Sequence, residues 1–132
     1  MRRIMFVTLA ATMLVVGAVA FAASVHGIAE LSSLSASGVT GQARLNEVQN
    51  QLNFQSQIRG LQPGAEYAVQ WYSNSSCTTE ATVNVIETFT SNPQGMASVN
   101  AKLQKTLPEI GSISVVRTSD NTAVACGAVQ VQ

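Results

Sequence analysis

The chain is poor in histidine and in charge, and both shortages limit the chemistry it can perform. His26 is its one histidine among 132 residues, and charged side chains make up 11% of the sequence. A redox copper centre needs several imidazoles that converge on one ion, and a serine or cysteine nucleophile is commonly activated by a neighbouring histidine. We therefore expect no enzyme activity and no bound cofactor.

Other catalytic and binding patterns are also missing. The carboxylates are scattered, without the pairing that general acid–base catalysis or a calcium site requires, and no G-x-S-x-G motif is present. Beyond residue 22, five basic and seven acidic side chains leave a net charge of −2. Because the sequence shows no basic patch that could neutralise phosphates, nucleic acid is not an expected partner.

Residues 1–22 have the layout of a secretory signal peptide. Two arginines precede an apolar run that starts at Ile4 and ends in Ala20-Phe21-Ala22, which predicts cleavage before Ala23. The run is almost long enough to cross a bilayer, so an uncleaved anchor is the alternative, and only then would the protein contact a membrane. In both cases the sequence predicts a secreted or periplasmic protein.

The two cysteines, Cys77 and Cys126, both lie in the exported part of the chain. An even pair in an oxidising compartment predicts a disulfide, and two free buried thiols are the alternative. A bridge would close a loop of about fifty residues and contribute on the order of 4 kcal/mol in the chain-entropy model.

The pattern of the remaining chain is that of an all-β domain. We interpret residues 23–36 as an N-terminal tether and 37–132 as one domain of seven or eight short strands, because alternating segments are separated by turn residues every eight to twelve positions. No segment beyond residue 22 carries sustained helical periodicity. The expected fold is an antiparallel Greek-key barrel or sandwich.

Four segments of the sequence resemble the Cu,Zn superoxide dismutase family. They are a first strand with Val39 and Gly41, the turn "GLQPG" that leads to a cysteine loop, the strand "SVVR", and the terminal "ACGAVQV". The resemblance covers most of residues 37–131. It implies an eight-stranded Greek-key barrel in which Cys126 of the last strand pairs with Cys77 of the preceding loop.

The same resemblance implies that the metal site of that family is lost. The positions of the family's copper-ligand histidines fall on Val69, Trp71 and Arg117. The zinc-binding loop is nearly absent, because only residues 78–95 separate Cys77 from Met96. Arg117 is expected either to fill the former site by stacking on Trp71 or to face solvent.

Three further residues are site candidates. Tyr72 follows Trp71, so a strand would point the two rings to opposite faces, and Tyr72 is expected either to cap the barrel rim or to lie exposed as a binding surface. Asn74 lies in an N-x-S sequence, a glycan acceptor if the host is eukaryotic. His26 could chelate Cu(II) together with a free N-terminal amine if cleavage followed Ala23.

These observations predict an exported, non-enzymatic, superoxide dismutase-like domain with a structural or protein-binding role and an unidentified protein partner. Two alternatives stay open. One is a secreted low-affinity copper-binding protein that uses its N-terminus and His26, and the other is an immunoglobulin- or fibronectin-like adhesion module.

Overall fold

A computed structural model describes residues 25–78 and 83–132. The predicted signal peptide and the first two residues of the predicted tether lie outside these ranges. No helix in the described part of the chain is long and apolar enough to cross a membrane.

Eight antiparallel strands form the fold, and their alternation of apolar and polar residues is strongest in β2 and β3. The strands are β1 (Val25–Ser33), β2 (Thr40–Val48), β3 (Gln51–Arg59), β4 (Glu66–Tyr72), β5 (Val83–Thr90), β6 (Ala97–Leu103), β7 (Ser112–Arg117) and β8 (Thr122–Val131). A 3-10 turn, Leu107–Glu109, precedes β7. The predicted all-β fold class is confirmed.

The strands follow the order β5-β4-β7-β8-β1-β2-β3-β6 in one sheet. The edge strands β5 and β6 are consecutive in the chain, and their Cα atoms approach within 8 Å, so the sheet curls into a nearly closed barrel. Turns tie the open side together, since the Leu61 N–H donates to the Gly95 carbonyl at 2.9 Å and the Gly64 N–H to the Ser91 carbonyl at 3.2 Å.

Residues 25–33 are a strand of the barrel, so their interpretation as part of a tether is wrong. β1 pairs with β2 along Val25–Leu31 and with β8 at both of its ends. Its inward positions include Gly27, Ala29 and Leu31, which are small or modest in size and gave only a weak alternation signal. A Cβ at Gly27 would lie 2.9 Å from Leu107 Cδ1, so the small residue leaves room for a core side chain.

The inward residues of all eight strands form the hydrophobic core, which fills the barrel. Ala43, Leu45, Leu52, Phe54, Val69, Ile113 and Val115 are each at most 1% exposed. Leu107 of the 3-10 turn joins this cluster, and its N–H donates to Glu47 Oε1 of β2 at 2.7 Å. The turn therefore covers one end of the barrel.

Candidate functional site

The predicted disulfide between Cys77 and Cys126 is confirmed, and it fixes the loop after β4 to the last strand. The Cα atoms of the two cysteines are 6.3 Å apart. The Cys77 N–H also donates to Ser112 Oγ at 3.1 Å, which attaches the loop to β7. Close packing continues at Gly111, where a Cβ would lie 2.4 Å from the Asn74 carbonyl oxygen.

Val69 and Trp71, two of the positions that the sequence resemblance aligns with copper ligands, lie in the interior of the barrel. Val69 is opposite Val115 and Trp71 is opposite Ile113 on β7. Their exposed fractions are 0% and 5%, and both belong to the hydrophobic core. These two positions therefore strengthen the packing of the barrel and present no donor atoms to an open cleft.

Arg117 lies toward the other end of the same inner row, opposite Tyr67. Because Trp71 is four residues from Tyr67 along β4, about 13 Å separates the two ends of this row. Lys105 takes the place over the indole, with its Nζ 5.8 Å from the Trp71 ring centroid. The interpretation of Arg117 as a plug stacked on Trp71 is wrong.

Arg117 forms an ion pair with Asp120 in the turn before β8. Its Nε lies 3.5 Å from Asp120 Oδ1, an ion-pair distance without the geometry of a hydrogen bond, and the arginine side chain is 36% exposed. Partial desolvation raises the pKa of Asp120, but hydrogen bonds from Thr122 and the charge of Arg117 outweigh it, so the pKa lies below its ordinary value. Arg117 thus stabilises a turn at the barrel end.

The donor set at these positions does not fit copper. Val69 has no ligand atom, the indole of Trp71 has only an N–H donor, and Arg117 keeps its proton and positive charge. Within residues 25–78 and 83–132, no three histidine, cysteine or carboxylate side chains lie close enough together to hold a metal ion.

Tyr72 is 3% exposed, so its interpretation as an exposed binding residue is wrong. Its side chain does point away from the core, as the alternation predicts, on the face that also carries Ser112 and Ser114. The Tyr72 hydroxyl accepts a hydrogen bond from Ser114 Oγ at 3.0 Å and donates to Gln70 Oε1 at 3.2 Å. The disulfide holds the cysteine loop against this face, and the tyrosine serves as a packed structural residue.

His26 and Asn74 both have side chains engaged in local structure. His26 is an exposed residue of β1 opposite Asn46, and its Nδ1–H donates to Asn46 Oδ1. Asn74 is half-buried, and its Nδ2, the atom that would carry a glycan, donates to the Thr78 carbonyl at 3.2 Å. Copper binding and glycosylation at these residues stay predictions.

The outer side of β2, β3 and β6 is a polar surface, which we call the amide face. Its centre consists of Gln42, Arg44, Gln55, Gln57, Ser98 and Asn100. These residues line a shallow groove of about 330 Å³, and a second groove of about 470 Å³ shares Gln42, Gln57 and Ser98 with it. The two grooves therefore form one continuous surface.

The net charge of −2 over residues 23–132 does not reveal the amide face. The signal was present in "QARLN" and "QLNFQSQIR", where alternate positions carry amides or arginine. The register places these positions side by side, since Arg44 is opposite Gln55 and Gln55 is opposite Asn100. Composition does not show which strands pair, and it is this pairing that brings the polar residues together.

The comparisons with known proteins leave the family open. No protein-family model matches the chain, and no curated protein matches it.

Proposed function

We propose that this protein is an exported, non-enzymatic domain of the superoxide dismutase-like kind, with a structural or protein-binding role. The sequence resemblance supports the assignment, together with the eight-stranded barrel and the bridge from the cysteine loop to the last strand. The N-terminal sequence supports export, and a structural disulfide is typical of oxidising compartments.

The non-enzymatic part of the proposal depends on the side chains that occupy the former ligand positions. Val69 and Trp71 are packed in the core, and Arg117 is paired with Asp120. Returning imidazoles to the inner row would place polar rings among buried apolar side chains, which costs free energy unless each ring finds a partner. The interior is specialised for stability.

The strand order does not favour the immunoglobulin-like alternative. Immunoglobulin domains divide their strands between two sheets that a disulfide joins across the core. Here all eight strands form one sheet in the order β5-β4-β7-β8-β1-β2-β3-β6, and the disulfide attaches a loop to β8.

A dismutase assay tests the proposal. The protein, purified with its native N-terminus, is incubated with Cu(II) and Zn(II), freed of unbound metal, and assayed for superoxide removal. We expect no rate above that of a matched sample without metal. His26→Ala is the control, because activity that disappears in this variant would come from copper at the N-terminus, whereas activity kept in it would contradict the proposal.

A protein-binding role is tested by capture from the native extract. The intact protein and a sample reduced and alkylated at Cys77 and Cys126 serve as paired baits. We expect a partner that is recovered reproducibly by the intact bait alone. Recovery of no such partner would leave a purely structural role as the proposed one.

A further inference from the structure

We propose that the amide face binds an acidic polysaccharide, a chain of uronic acid sugars being the simplest example. The proposal depends on the juxtaposition of neutral carboxamides with cationic side chains across three neighbouring strands. It does not depend on whether the barrel binds a metal.

The register arranges the polar residues of the face in rows across the strands. One row contains Gln42, Gln57 and Ser98, and the next contains Arg44, Gln55 and Asn100. Each row spans about 10 Å, since neighbouring strands lie about 4.8 Å apart. An extended polymer laid along a row would therefore meet a polar side chain at every strand.

These side chains have unused hydrogen-bonding capacity. In the described part of the chain, no intramolecular hydrogen bond involves the side chains of Gln55, Gln57, Asn100 or Arg44, whereas Gln42 Nε2 donates to Glu30 Oε1 at 2.7 Å. A carboxamide both donates and accepts, which matches the mixed donors and acceptors of sugar hydroxyls and ring oxygens. Charged side chains are the usual means of keeping a protein surface soluble. They make up only 11% of this sequence against about 25% in an average protein, so this chain carries amides where other proteins carry charges.

The cations of the chain are concentrated around this face. Arg44, Arg59 and Lys102 account for three of the five basic residues beyond residue 22, all three exposed and outward-facing. Glu30 is the carboxylate at its border, and it is hydrogen-bonded to Gln42. Other described acids lie elsewhere: Glu47 inward, Glu66 on β4, Glu87 on β5, Glu109 in the 3-10 turn and Asp120 in the β7–β8 turn.

This charge distribution favours an anionic ligand although the whole exported chain is acidic. A locally positive surface attracts and orients anions, and arginine pairs with carboxylates through two parallel hydrogen bonds. The two arginines and Lys102 supply the charge recognition, while the amides supply contacts to the neutral parts of the sugar.

Other anionic polymers fit the face less well. Single-stranded nucleic acids bind by stacking bases on aromatic side chains, and protein interfaces are enriched in aromatic anchors. Phe54 is the only Phe, Tyr or Trp residue in β1, β2, β3 and β6, and it is 1% exposed in the core. A face of amides and cations without aromatic rings therefore favours a hydroxyl-rich polyanion.

Titration calorimetry with polygalacturonate tests the proposal, with neutral dextran as the uncharged comparator. We expect the protein with its native N-terminus to bind polygalacturonate and not dextran. Arg44→Gln should weaken binding by about tenfold or more, because a hydrogen bond to a charged group contributes about 1.5–3 kcal/mol. Lys105→Gln, which removes a cation outside the face, is the matched control and should leave affinity unchanged.

A second variant separates sugar recognition from simple charge attraction. The double substitution Gln55→Ala/Gln57→Ala keeps the charge of the face and should also weaken polygalacturonate binding, with an unchanged melting temperature confirming the fold. Equal binding by this variant and the parent protein would overturn the proposal. Tighter binding to single-stranded DNA or to anionic lipid vesicles than to polygalacturonate would also overturn it and would identify a general polyanion surface.

Discussion

At the scale of single residues, the buried serines show how polar atoms are accommodated in this barrel. Ser112 Oγ accepts a hydrogen bond from Cys77 and Ser114 Oγ donates to Tyr72, whereas Ser56 Oγ is buried without a partner in the described part of the chain. A buried polar group without a hydrogen bond destabilises the folded state. Replacing Ser56 and replacing Ser114 should therefore change the free energy of unfolding in opposite directions.

Ser56→Ala should stabilise the protein. The substitution removes an unpaired hydroxyl that lies opposite Ala43 and Val99 in the core. We expect the free energy of unfolding to rise by about 1 kcal/mol, measured by urea denaturation. Ser114→Ala is the control and should lower it, because the Tyr72 hydroxyl loses its donor; a fall in both variants would contradict the packing described at Ser56.

Two glycines with the same backbone conformation should respond differently to alanine. Gly60 and Gly64 have φ values of +77° and +71°, a region that side chains disfavour. At Gly60 a Cβ would also lie 2.2 Å from the Gly38 carbonyl oxygen, whereas nothing lies within 4 Å at Gly64.

Gly64→Ala should therefore cost about 1 kcal/mol of stability from φ alone, and Gly60→Ala distinctly more. Thermal denaturation of the two variants gives the comparison. Equal melting temperatures would mean that the β3–β4 connection does not approach Gly38 as described.

Residue directions were predictable from the sequence, but residue environments were not. The alternation of β4 correctly separates Trp71 and Tyr72 onto opposite faces. It could not show that a loop fixed by a distant cysteine would lie against the outer face and leave Tyr72 buried. That information depends on contacts between segments that are far apart in the sequence.

At the scale of elements, strands with strong alternation were predicted well and β1 was missed. The segments "QLNFQSQIRG" and "EYAVQWY" have the pattern of strands in the sequence, and the structure forms β3 and β4 there. β1 carries Gly27 and Ala29 at inward positions, so its apolar face is slight in the sequence. Its place is fixed by pairing with β2 and β8, which a local pattern cannot reveal.

The disulfide should be the largest single contributor to stability among the connections between elements. Cys126→Ser opens a link between residues 49 positions apart. We expect a loss of about 4 kcal/mol and a melting temperature lower by about 15 °C or more under oxidising conditions. Reduction of the parent protein should give a similar fall, and an unchanged melting temperature in both experiments would contradict a stabilising bridge.

The 3-10 turn should give the protein an acid-sensitive contribution to stability. The backbone N–H and hydroxyl of Thr106 both donate to Glu109 Oε2, at 2.7 and 3.1 Å, and these bonds lower the pKa of Glu109 below its ordinary value of 4.5. Because the folded-state pKa is the lower one, the stabilisation is complete above pH 4.5 and is lost as the pH falls through the folded value.

Glu109→Gln tests this contribution, since glutamine cannot ionise. The difference in free energy of unfolding between the parent protein and the variant should be present at pH 7 and shrink below pH 4.5, as followed by urea denaturation. A difference that is constant from pH 7 to pH 3 would show that the Glu109 charge does not stabilise the turn.

At the scale of the whole molecule, the barrel combines an apolar interior with a polar outer side. Its interior is apolar at all the inward positions of β4 and β7 except the end that carries Arg117, while the outer side of β2, β3 and β6 gathers amides and cations. Strand number and turn spacing predicted an antiparallel barrel or sandwich, and the family resemblance implied the eight-stranded barrel. It could not reveal the amide face, because that face is created by register between strands.

Metal content measures the central claim most directly, namely that this barrel holds packed side chains at the positions that the sequence resemblance aligns with copper ligands. Copper and zinc are quantified per chain in protein purified from the cells that produce it, without added metal. We predict far less than one equivalent of either. One equivalent of copper that survives both dialysis against a chelator and the His26→Ala substitution would contradict the account.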